Sequence, residues 1–163
     1  MNGIYLLLGS NIGNRLAYLK EAATLLSKEN IIIIEESSIY ETEPWGPKDQ
    51  DWFLNVILEI STSYEPKELL EVVLKIESEL GRVRKEKWGE RCIDIDILYF
   101  KDEVVDDTNL SIPHLGIPNR KFTLMPLAEM CPLEKHPTLD KTQMELLAEC
   151  TDPLDCILTD YKL

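Results

Sequence analysis

The spacing of hydrophobic and polar positions along the chain predicts four strands and two long helices in a regular order. Apolar or alternating stretches predict strands over residues 4–8, 31–40, 52–62 and 93–100. Apolar positions at helical spacing predict amphipathic helices over residues 15–27 and 66–80. The order strand-helix-strand-strand-helix-strand predicts an α+β fold with a ferredoxin-like βαββαβ core, in which two helices cover one side of an antiparallel sheet.

Local signals mark the ends of the helices and a set of shorter elements after the core. Asn14 is expected to cap the first helix, Pro66 to open the second and Gly81 to follow its end in the left-handed conformation. Further on, the sequence predicts a C-terminal hairpin that pairs residues 103–105 with 98–100, an extended segment over 111–114, and short helices over 122–130 and 142–150. The last dozen residues carry no signal. Without a repeat or linker, we expect one domain over residues 1–163.

The strand over residues 93–100 places two carboxylates on the same face. Ile93, Ile95, Ile97 and Tyr99 alternate with Asp94 and Asp96, so the two aspartates point away from the apolar side. At about 3.3 Å per residue their backbones lie roughly 6–7 Å apart. Like charges this close are unfavourable unless a cation joins them, and an all-oxygen site suits magnesium.

The loop before this strand is rich in cations. It carries Arg82, Arg84, Lys85, Lys87 and Arg91 around Trp88, and three of the chain's five arginines lie in it. The planar guanidinium fork matches phosphate oxygens better than a lysine ammonium does. The basic loop, the aspartates and the indole together indicate a nucleoside triphosphate site, although a solvated charged face would show the same composition.

Other candidate residues lie on a predicted strand and in two loops. Phe53 and Asn55 share one face of the third strand, where a ring and an amide would suit a flat heterocycle or simply be a partly exposed Phe and a cross-strand Asn. Trp45, in a Pro/Gly-rich loop, either anchors that loop or caps a substrate. Residues 9–14 read G-S-N-I-G-N, which matches no P-loop or dinucleotide fingerprint and favours a turn that needs flexible backbone.

Composition excludes several classes of function. The chain has 163 residues, 44% hydrophobic and 29% charged, with a net charge of −13. Such an acidic chain is unsuited to bulk nucleic-acid binding or to an anionic membrane, and no apolar run approaches the roughly 20 residues of a span. Residues 1–4 carry no basic segment and no cleavage-like site, so we expect no signal peptide. Four scattered cysteines without a C-x-x-C pair indicate free thiols in the cytoplasm, and two histidines exclude a histidine-rich metal site.

Several motifs together resemble the 6-hydroxymethyl-7,8-dihydropterin pyrophosphokinase family of folate biosynthesis. The most specific are G-R-V-R at residues 81–84 and R-C-I-D-I-D-I at 91–97. The others are G-S-N-I-G-N at 9–14, E-T-E-P-W-G-P at 41–47, F-L-N at 53–55, P-H at 113–114 and N-R-K-F at 119–122. The resemblance extends from the first strand to about Pro132.

The resemblance implies a reaction and a role for each matching residue. The pyrophosphoryl group of ATP would pass to the hydroxymethyl group of a reduced pterin, and AMP would leave. Asp94 and Asp96 would hold two magnesium ions, with Arg82, Arg91 and Asp96 as the catalytic residues; Asp96 or a metal would assist deprotonation of the hydroxyl. ATP would be bound by Glu77, Arg84, Trp88, Arg91, Ser111, His114 and Arg120. The pterin would be bound by Thr42, Glu43, Trp45, Phe53, Asn55 and Phe122.

Four positions depart from the family's usual residues. Asn109 stands where arginine is frequent, Leu74 where glutamine is common, Lys87 where arginine occurs, and Lys121 where a small residue is usual. None touches the aspartate pair, so we expect activity with altered ATP affinity. From the resemblance and the acidic composition, we expect a monomer that binds ATP and a reduced pterin. We expect it to bind neither nucleic acid nor membrane. The rivals are a ferredoxin-like RNA-binding module, a small-molecule regulatory domain and a magnesium-dependent hydrolase.

Overall fold

The computed structural model describes residues 1–46, 49–82 and 90–163. Within this part the core elements are β1 (Ile4–Ser10), α1 (Arg15–Lys28), β2 (Ile32–Glu36), β3 (Tyr40–Thr42), β4 (Phe53–Ser61), α2 (Pro66–Glu79) and β5 (Asp94–Phe100). They are followed by β6 (Val105–Asp107), β7 (Leu110–Ile112), a 3₁₀ turn (Ile117–Asn119), α3 (Lys121–Met130), α4 (Gln143–Glu149) and β8 (Cys156–Leu158).

A six-stranded sheet forms the centre of the fold. Its order is β5-β1-β4-β3-β8, with β2 also paired to β4, and every pairing is antiparallel. The predicted α+β class with an antiparallel sheet is confirmed, while the finer ferredoxin-like assignment stays a prediction. The single strand expected over residues 31–40 is wrong: the chain forms two strands, β2 and β3, with Ser37 between them donating its backbone N–H to Ile57.

The predicted helix ends agree with the structure. The Asn14 side chain accepts a hydrogen bond from the Ala17 backbone N–H, which satisfies one of the free donors in the first turn of α1. Pro66 opens α2, whose N-terminus also carries a capping box between Glu65 and Glu68. Gly81 has a φ of 86°, the left-handed conformation that glycine adopts without steric cost.

Two hydrophobic clusters cover the two faces of the sheet. On one face, Leu6, Leu8, Val56 and Leu58 pack with residues of α1 and α2. On the other, Leu7, Ile57 and Tyr99 pack with residues of α3 and α4. No helix in the described ranges is both long and apolar enough to cross a membrane.

Tyr99 lies on the opposite face from the one that strict alternation predicts. In the β1–β5 pairing, Leu6 is opposite Ile97 but Tyr5 is opposite Tyr99, so Leu98 is an extra residue in β5. This β-bulge reverses the direction of the following side chains. Ile93, Ile95 and Ile97 stay on the predicted face, and Tyr99 joins the second cluster.

The C-terminal half departs from the sequence prediction in two places. The expected hairpin between 98–100 and 103–105 is wrong: β6 pairs with β7 in a separate two-stranded sheet. β8 lies in the last dozen residues, where no element was predicted, and adds to the edge of the main sheet through β3. The short helices predicted over 122–130 and 142–150 match α3 and α4 to within a residue or so.

Candidate active site

One cleft of about 720 Å³ lies over the end of the sheet where β1 finishes. Its floor is set by the strand register, because Gly9 of β1 lies opposite Asn55 of β4 on one side and Asp94 of β5 on the other. At about 4.8 Å between neighbouring strands, the backbones of Asp94 and Asn55 lie about 10 Å apart across Gly9. The floor therefore has an acidic half and an amide half.

The acidic half contains the two aspartates on the face predicted for them. Asp94 and Asp96 both line the cleft, and Asp96 lies opposite Leu7, two residues before Gly9 in β1. Burial raises the pKa of Asp96 to about 7, with Asp94 and Glu77 adding to the rise while Arg120 and Arg82 oppose it. Negative charge at Asp96 is therefore unfavourable unless further positive charge is brought to it.

Two arginines at the ends of the basic loop already meet Asp94. The guanidinium of Arg82 donates to Oδ1 of Asp94 and that of Arg91 donates to Oδ2. Arg82 also pairs with Glu77, a buried residue of α2. Asp94 therefore holds two guanidiniums in this part of the cleft. Both guanidiniums lie within reach of an anionic ligand bound there.

Glu77 joins α2 to β5 at the base of the cleft. Its Oε1 accepts a hydrogen bond from the Ile95 backbone N–H at 2.8 Å as well as one from Arg82. Its side chain is only 3% exposed. Glu77 thus fixes the segment between the two aspartates relative to α2.

The amide half of the cleft consists of the Asn55 side-chain amide and the aromatic rings around it. Asn55 donates from Nδ2 to Oγ1 of Thr42 at 2.7 Å, and both residues are buried. A Cβ added to Gly9 would lie 2.7 Å from Oδ1 of Asn55, so the amide oxygen is turned towards the floor of the cleft at Gly9. The Phe53 ring lies beside it, 5.8 Å from the guanidinium carbon of Arg91.

Arg120 lies between two of the aromatic side chains that surround the cleft. Its guanidinium carbon is 5.8 Å from the ring centre of Trp45 and 5.8 Å from that of Phe122. These cation–π contacts bring the loop after β3 and the start of α3 together at one residue. The positive charge of Arg120 also reaches Asp96, whose negative charge it favours.

His114 is neutral at ordinary pH. Burial and the charge of Arg120 lower its pKa to about 4, against the opposing effect of Asp94. Its Nδ1 accepts a hydrogen bond from the Gly116 backbone N–H at 3.1 Å. The proton of the neutral ring is therefore assigned to Nε2, which makes that atom a hydrogen-bond donor.

Every predicted site residue in the described ranges lines this cleft. The set comprises Thr42, Glu43, Trp45, Phe53, Asn55, Glu77, Arg82, Arg91, Asp94, Asp96, Ser111, His114, Arg120 and Phe122. Leu74 and Asn109, two of the departures from the family pattern, line it too. Arg84, Lys85, Lys87 and Trp88 lie outside the described residues.

The sequence reasoning missed Gly9, which lines the cleft, and Asn11, which joins two loops beside it. Gly9 belongs to β1 rather than to a flexible turn, and its bare Cα forms part of the floor. Asn11, which is 1% exposed, accepts from the Arg91 backbone N–H at 2.8 Å and donates to the Asp51 carbonyl at 3.2 Å. An amide directly after a buried strand was the available signal, but the partners of the Asn11 side chain lie about 40 residues away, at Gln50 and Asp51, and 80 residues away, at Arg91.

The donors that could hold a metal ion are few. Across the described residues, no group of three or more His, Cys, Asp or Glu side chains is arranged to ligate a metal. The aspartate pair alone therefore fits an ion that takes one or two carboxylates and completes its shell with water or phosphate, as magnesium does.

Comparison with known proteins gives a consistent result. Residues 5–132 match the family model described as 7,8-dihydro-6-hydroxymethylpterin-pyrophosphokinase (HPPK). The chain is 47% identical over 148 residues to the 2-amino-4-hydroxy-6-hydroxymethyldihydropteridine pyrophosphokinase of Bacillus subtilis, covering 89% of each protein. It is 43% identical to the enzyme of that name from Aquifex aeolicus, covering 97% of this chain and 99% of that one.

Solved structures show the same fold. The Plasmodium falciparum HPPK-DHPS protein with SDX-DHP matches 91% of this chain with a TM-score of 0.70 at 21% identity, and this chain spans 43% of that one. An HPPK-DHPS structure described as a complex with substrates gives a TM-score of 0.71 at 17% identity, and again this chain spans 43% of it. The resemblance read from the sequence motifs is confirmed, and the chain belongs to the 7,8-dihydro-6-hydroxymethylpterin-pyrophosphokinase family.

Proposed function

We propose that this chain transfers the pyrophosphoryl group of ATP to the hydroxymethyl group of 6-hydroxymethyl-7,8-dihydropterin and releases AMP. Membership of the family supports the reaction. The observation that carries it is a single cleft in which an acidic, arginine-lined half adjoins a ring-and-amide half about 10 Å away across Gly9. A volume of about 720 Å³ can accommodate two small substrates side by side.

Asp94 and Asp96 would hold two magnesium ions that arrive with the nucleotide. The donor set is hard oxygen, and the pKa of Asp96 is raised by burial first and by the charge of Asp94 second, so a cation bound beside it would favour its negative charge. When bound, magnesium would neutralise charge on the phosphate oxygens and on the leaving group. The residues around the pair then have to orient the triphosphate and exclude water.

The arginines would change partners when the nucleotide binds. Arg82 and Arg91 pair with Asp94 in the structure, so a cation at Asp94 would compete with both guanidiniums and let them turn towards the phosphate oxygens, with Arg82 still paired to Glu77. Phosphoryl transfer depends mainly on positioning and charge stabilisation, which two guanidiniums can provide. His114 would donate from Nε2 and Arg120 from its guanidinium, with Ser111 and Glu77 nearer the nucleoside.

The pterin would lie over the amide half. Phe53 and Phe122 would sandwich the ring system, and Asn55 would accept a hydrogen bond at Oδ1, the atom turned towards the floor at Gly9. Since Nδ2 of Asn55 is engaged by Thr42, the amide cannot rotate without losing that 2.7 Å bond. The segment Thr42, Glu43 and Trp45 would contact the edge of the pterin. Free thiols at all four cysteines support a cytoplasmic setting, and we infer a monomer.

A product assay tests the proposal against its rivals. With ATP, magnesium and hydroxymethyl-dihydropterin, we expect AMP whose formation requires the pterin. Release of inorganic phosphate without pterin would instead identify a magnesium-dependent hydrolase, and binding without turnover a regulatory domain. Asp94→Ala and Asp96→Ala should each lose several orders of magnitude in kcat while remaining folded; near-normal rates would discard the metal assignment.

The placement of the pterin has its own test. Phe122→Ala should raise the Kd for the pterin about tenfold or more, because a stacked ring contributes on the order of 1–3 kcal/mol, and should leave the Kd for ATP nearly unchanged. The two constants are measured separately by fluorescence titration or calorimetry. The reverse pattern would mean that the two halves of the cleft have been exchanged.

A further inference from the structure

The segment Asp152–Leu158, here called the strap, contacts two segments that line the pterin half of the cleft. These two walls are the end of β3 with Glu43, and the start of α3. It includes β8 and follows α4. No strap residue is among the described residues that line the cleft. Its contacts are nevertheless made to Thr42 and Glu43, which are proposed pterin contacts, and to Lys121, which directly precedes Phe122.

One end of the strap holds the start of α3. Asp152, which is 7% exposed, accepts from the Lys121 backbone N–H at 2.9 Å and from the Leu154 backbone N–H at 3.1 Å. Lys121 Nζ donates to the Leu154 carbonyl at 2.8 Å. The α3 N-terminus has no side-chain cap from its own N-cap residue, so Asp152 supplies the acceptor that this helix end requires.

The other end of the strap holds the opposite wall. Glu43 donates its backbone N–H to the Asp155 carbonyl at 3.1 Å, and Asp155 donates its own to Oε2 of Glu43 at 2.9 Å. Beyond this reciprocal pair, Thr42 lies opposite Cys156 in the β3–β8 pairing. Thr42 is the residue that accepts the amide hydrogen bond of Asn55.

Lys121 lies between Arg120 and Phe122, so fixing its backbone fixes the direction of both neighbours. Arg120 contacts Trp45 from one wall and Phe122 from the other. We propose that the strap sets the separation of the two walls, and that Asp152 is a positioning residue for pterin binding that acts through Phe122. This inference rests on the proposed function, because it concerns the same pterin site.

The test compares three substitutions in the full chain. Asp152→Ala removes both accepted hydrogen bonds, Asp152→Asn keeps the shape and one acceptor oxygen, and Asp160→Asn changes an exposed acid near the strap as the matched control. We expect the pterin Kd to rise about tenfold for Asp152→Ala, less for Asp152→Asn and not at all for Asp160→Asn, with the ATP Kd within about twofold throughout. A pterin Kd within twofold for Asp152→Ala, or equal losses for both ligands, overturns the proposal.

A double-mutant cycle separates positioning from general stability. If Asp152 acts through Phe122, Asp152→Ala should add little to the pterin Kd in a Phe122→Ala background, whereas a purely structural effect would add in full. If Asp152→Ala does not fold, Asp152→Asn replaces it in the cycle; its amide can accept only one of the two N–H bonds, and an unchanged pterin Kd would contradict the proposal. If both Phe122→Ala and the Asp152 variants leave the pterin Kd unchanged, the proposed pterin site is wrong. If Phe122→Ala raises the pterin Kd and the Asp152 variants leave it unchanged, only the strap inference is wrong.

Discussion

Gly9 shows how a single missing side chain shapes the cleft. An added methyl group would lie 2.7 Å from Oδ1 of Asn55 and 3.7 Å from the Phe53 ring, and the buried Asn55 cannot move without losing its bond to Thr42. We therefore expect Gly9→Ala to raise the pterin Kd about tenfold while the ATP Kd stays within about twofold. Ligand titrations with each substrate measure both constants.

The control for Gly9→Ala is the same change in an Asn55→Ala background. Because the clash is with the Asn55 amide, the second substitution should remove most of the effect of the first. An additive result would show that Gly9 acts through the backbone rather than through this contact.

Asn11 connects two loops that border the cleft. Its Oδ1 accepts from the Arg91 N–H, and its Nδ2 donates to the Asp51 carbonyl and to Gln50. Asn11→Asp keeps the acceptor but replaces the donor with a second oxygen, which repels the Asp51 carbonyl. We expect kcat to fall about tenfold with the ATP Kd unchanged, since the loop would be held less firmly over the substrates.

Asn14→Asp is the matched control, because aspartate caps a helix as well as asparagine does. Its steady-state kinetics should equal those of the parent. If Asn11→Asp also behaved like the parent, the connection between the loops would have no part in turnover.

At the scale of residues, the sequence predicted those parts of the site that depend on local alternation. Asp94 with Asp96, and Phe53 with Asn55, are i and i+2 pairs on strands, so their shared faces follow from a period of two. Tyr99 was misplaced because an extra residue at Leu98 interrupts that period, and nothing in the sequence marks a bulge of ordinary residues. The roles of Asn11 and Asp152 were not predicted, because their hydrogen-bond partners are remote in sequence.

At the scale of elements, α2 and β5 are joined at one buried carboxylate. Glu77→Ala would leave the Ile95 N–H without its present acceptor, and we expect the free energy of unfolding to fall by roughly 1–3 kcal/mol. Glu77→Gln keeps a neutral acceptor, and Arg82 retains Asp94, so a smaller loss is expected. Urea unfolding followed by circular dichroism measures both variants.

Glu79→Ala provides the comparison for these variants. Glu79 lies two residues along the same helix in a 3.9 Å pair with Lys75 that is largely exposed, so the loss should be under about 0.5 kcal/mol. Equal losses for Glu77→Gln and Glu77→Ala would mean that charge, rather than the bond to β5, accounts for the role of Glu77.

Elements were predicted well where their signals are local and poorly where pairing is long-range. Asn14, Pro66 and Gly81 identified helix ends through chemistry confined to one turn. The hairpin partner of residues 98–100 was wrong because short strands choose partners by tertiary packing. β8 has no local pattern, since Ile157 and Leu158 are both exposed and its position depends on β3, more than a hundred residues earlier.

At the scale of the whole molecule, both histidines make stability depend on pH. The chain has two histidines, and burial lowers the pKa of each, to about 4 for His114. Below pH 6.5 the unfolded chain therefore binds protons that the folded chain does not. The contribution of the neutral histidines to the free energy of unfolding is complete above pH 6.5 and declines as the pH falls towards 4. We expect His136→Asn to flatten part of this decline in urea unfolding at pH 7.5 and 5.0.

The comparison has to be made between variant and parent, because Asp96 acts in the opposite direction. Its raised pKa makes the folded chain bind the extra proton between about pH 7 and 3.8, which favours folding as pH falls. The difference in slope between His136→Asn and the parent isolates the histidine. An identical slope would show that His136 is protonated equally in both states.

The pairing of β3 with β8 also sets an order of events during synthesis of the protein. Asp155 follows Glu43 by 112 residues, which at about 5–20 residues per second corresponds to a delay of roughly 6–22 s on the ribosome. Until β8 has emerged, the outer edge of β3 is an unpaired strand with free backbone groups. A nascent chain can therefore form the β1–β4 pairing before the strap closes that edge, and the open edge is where premature association with other chains would begin.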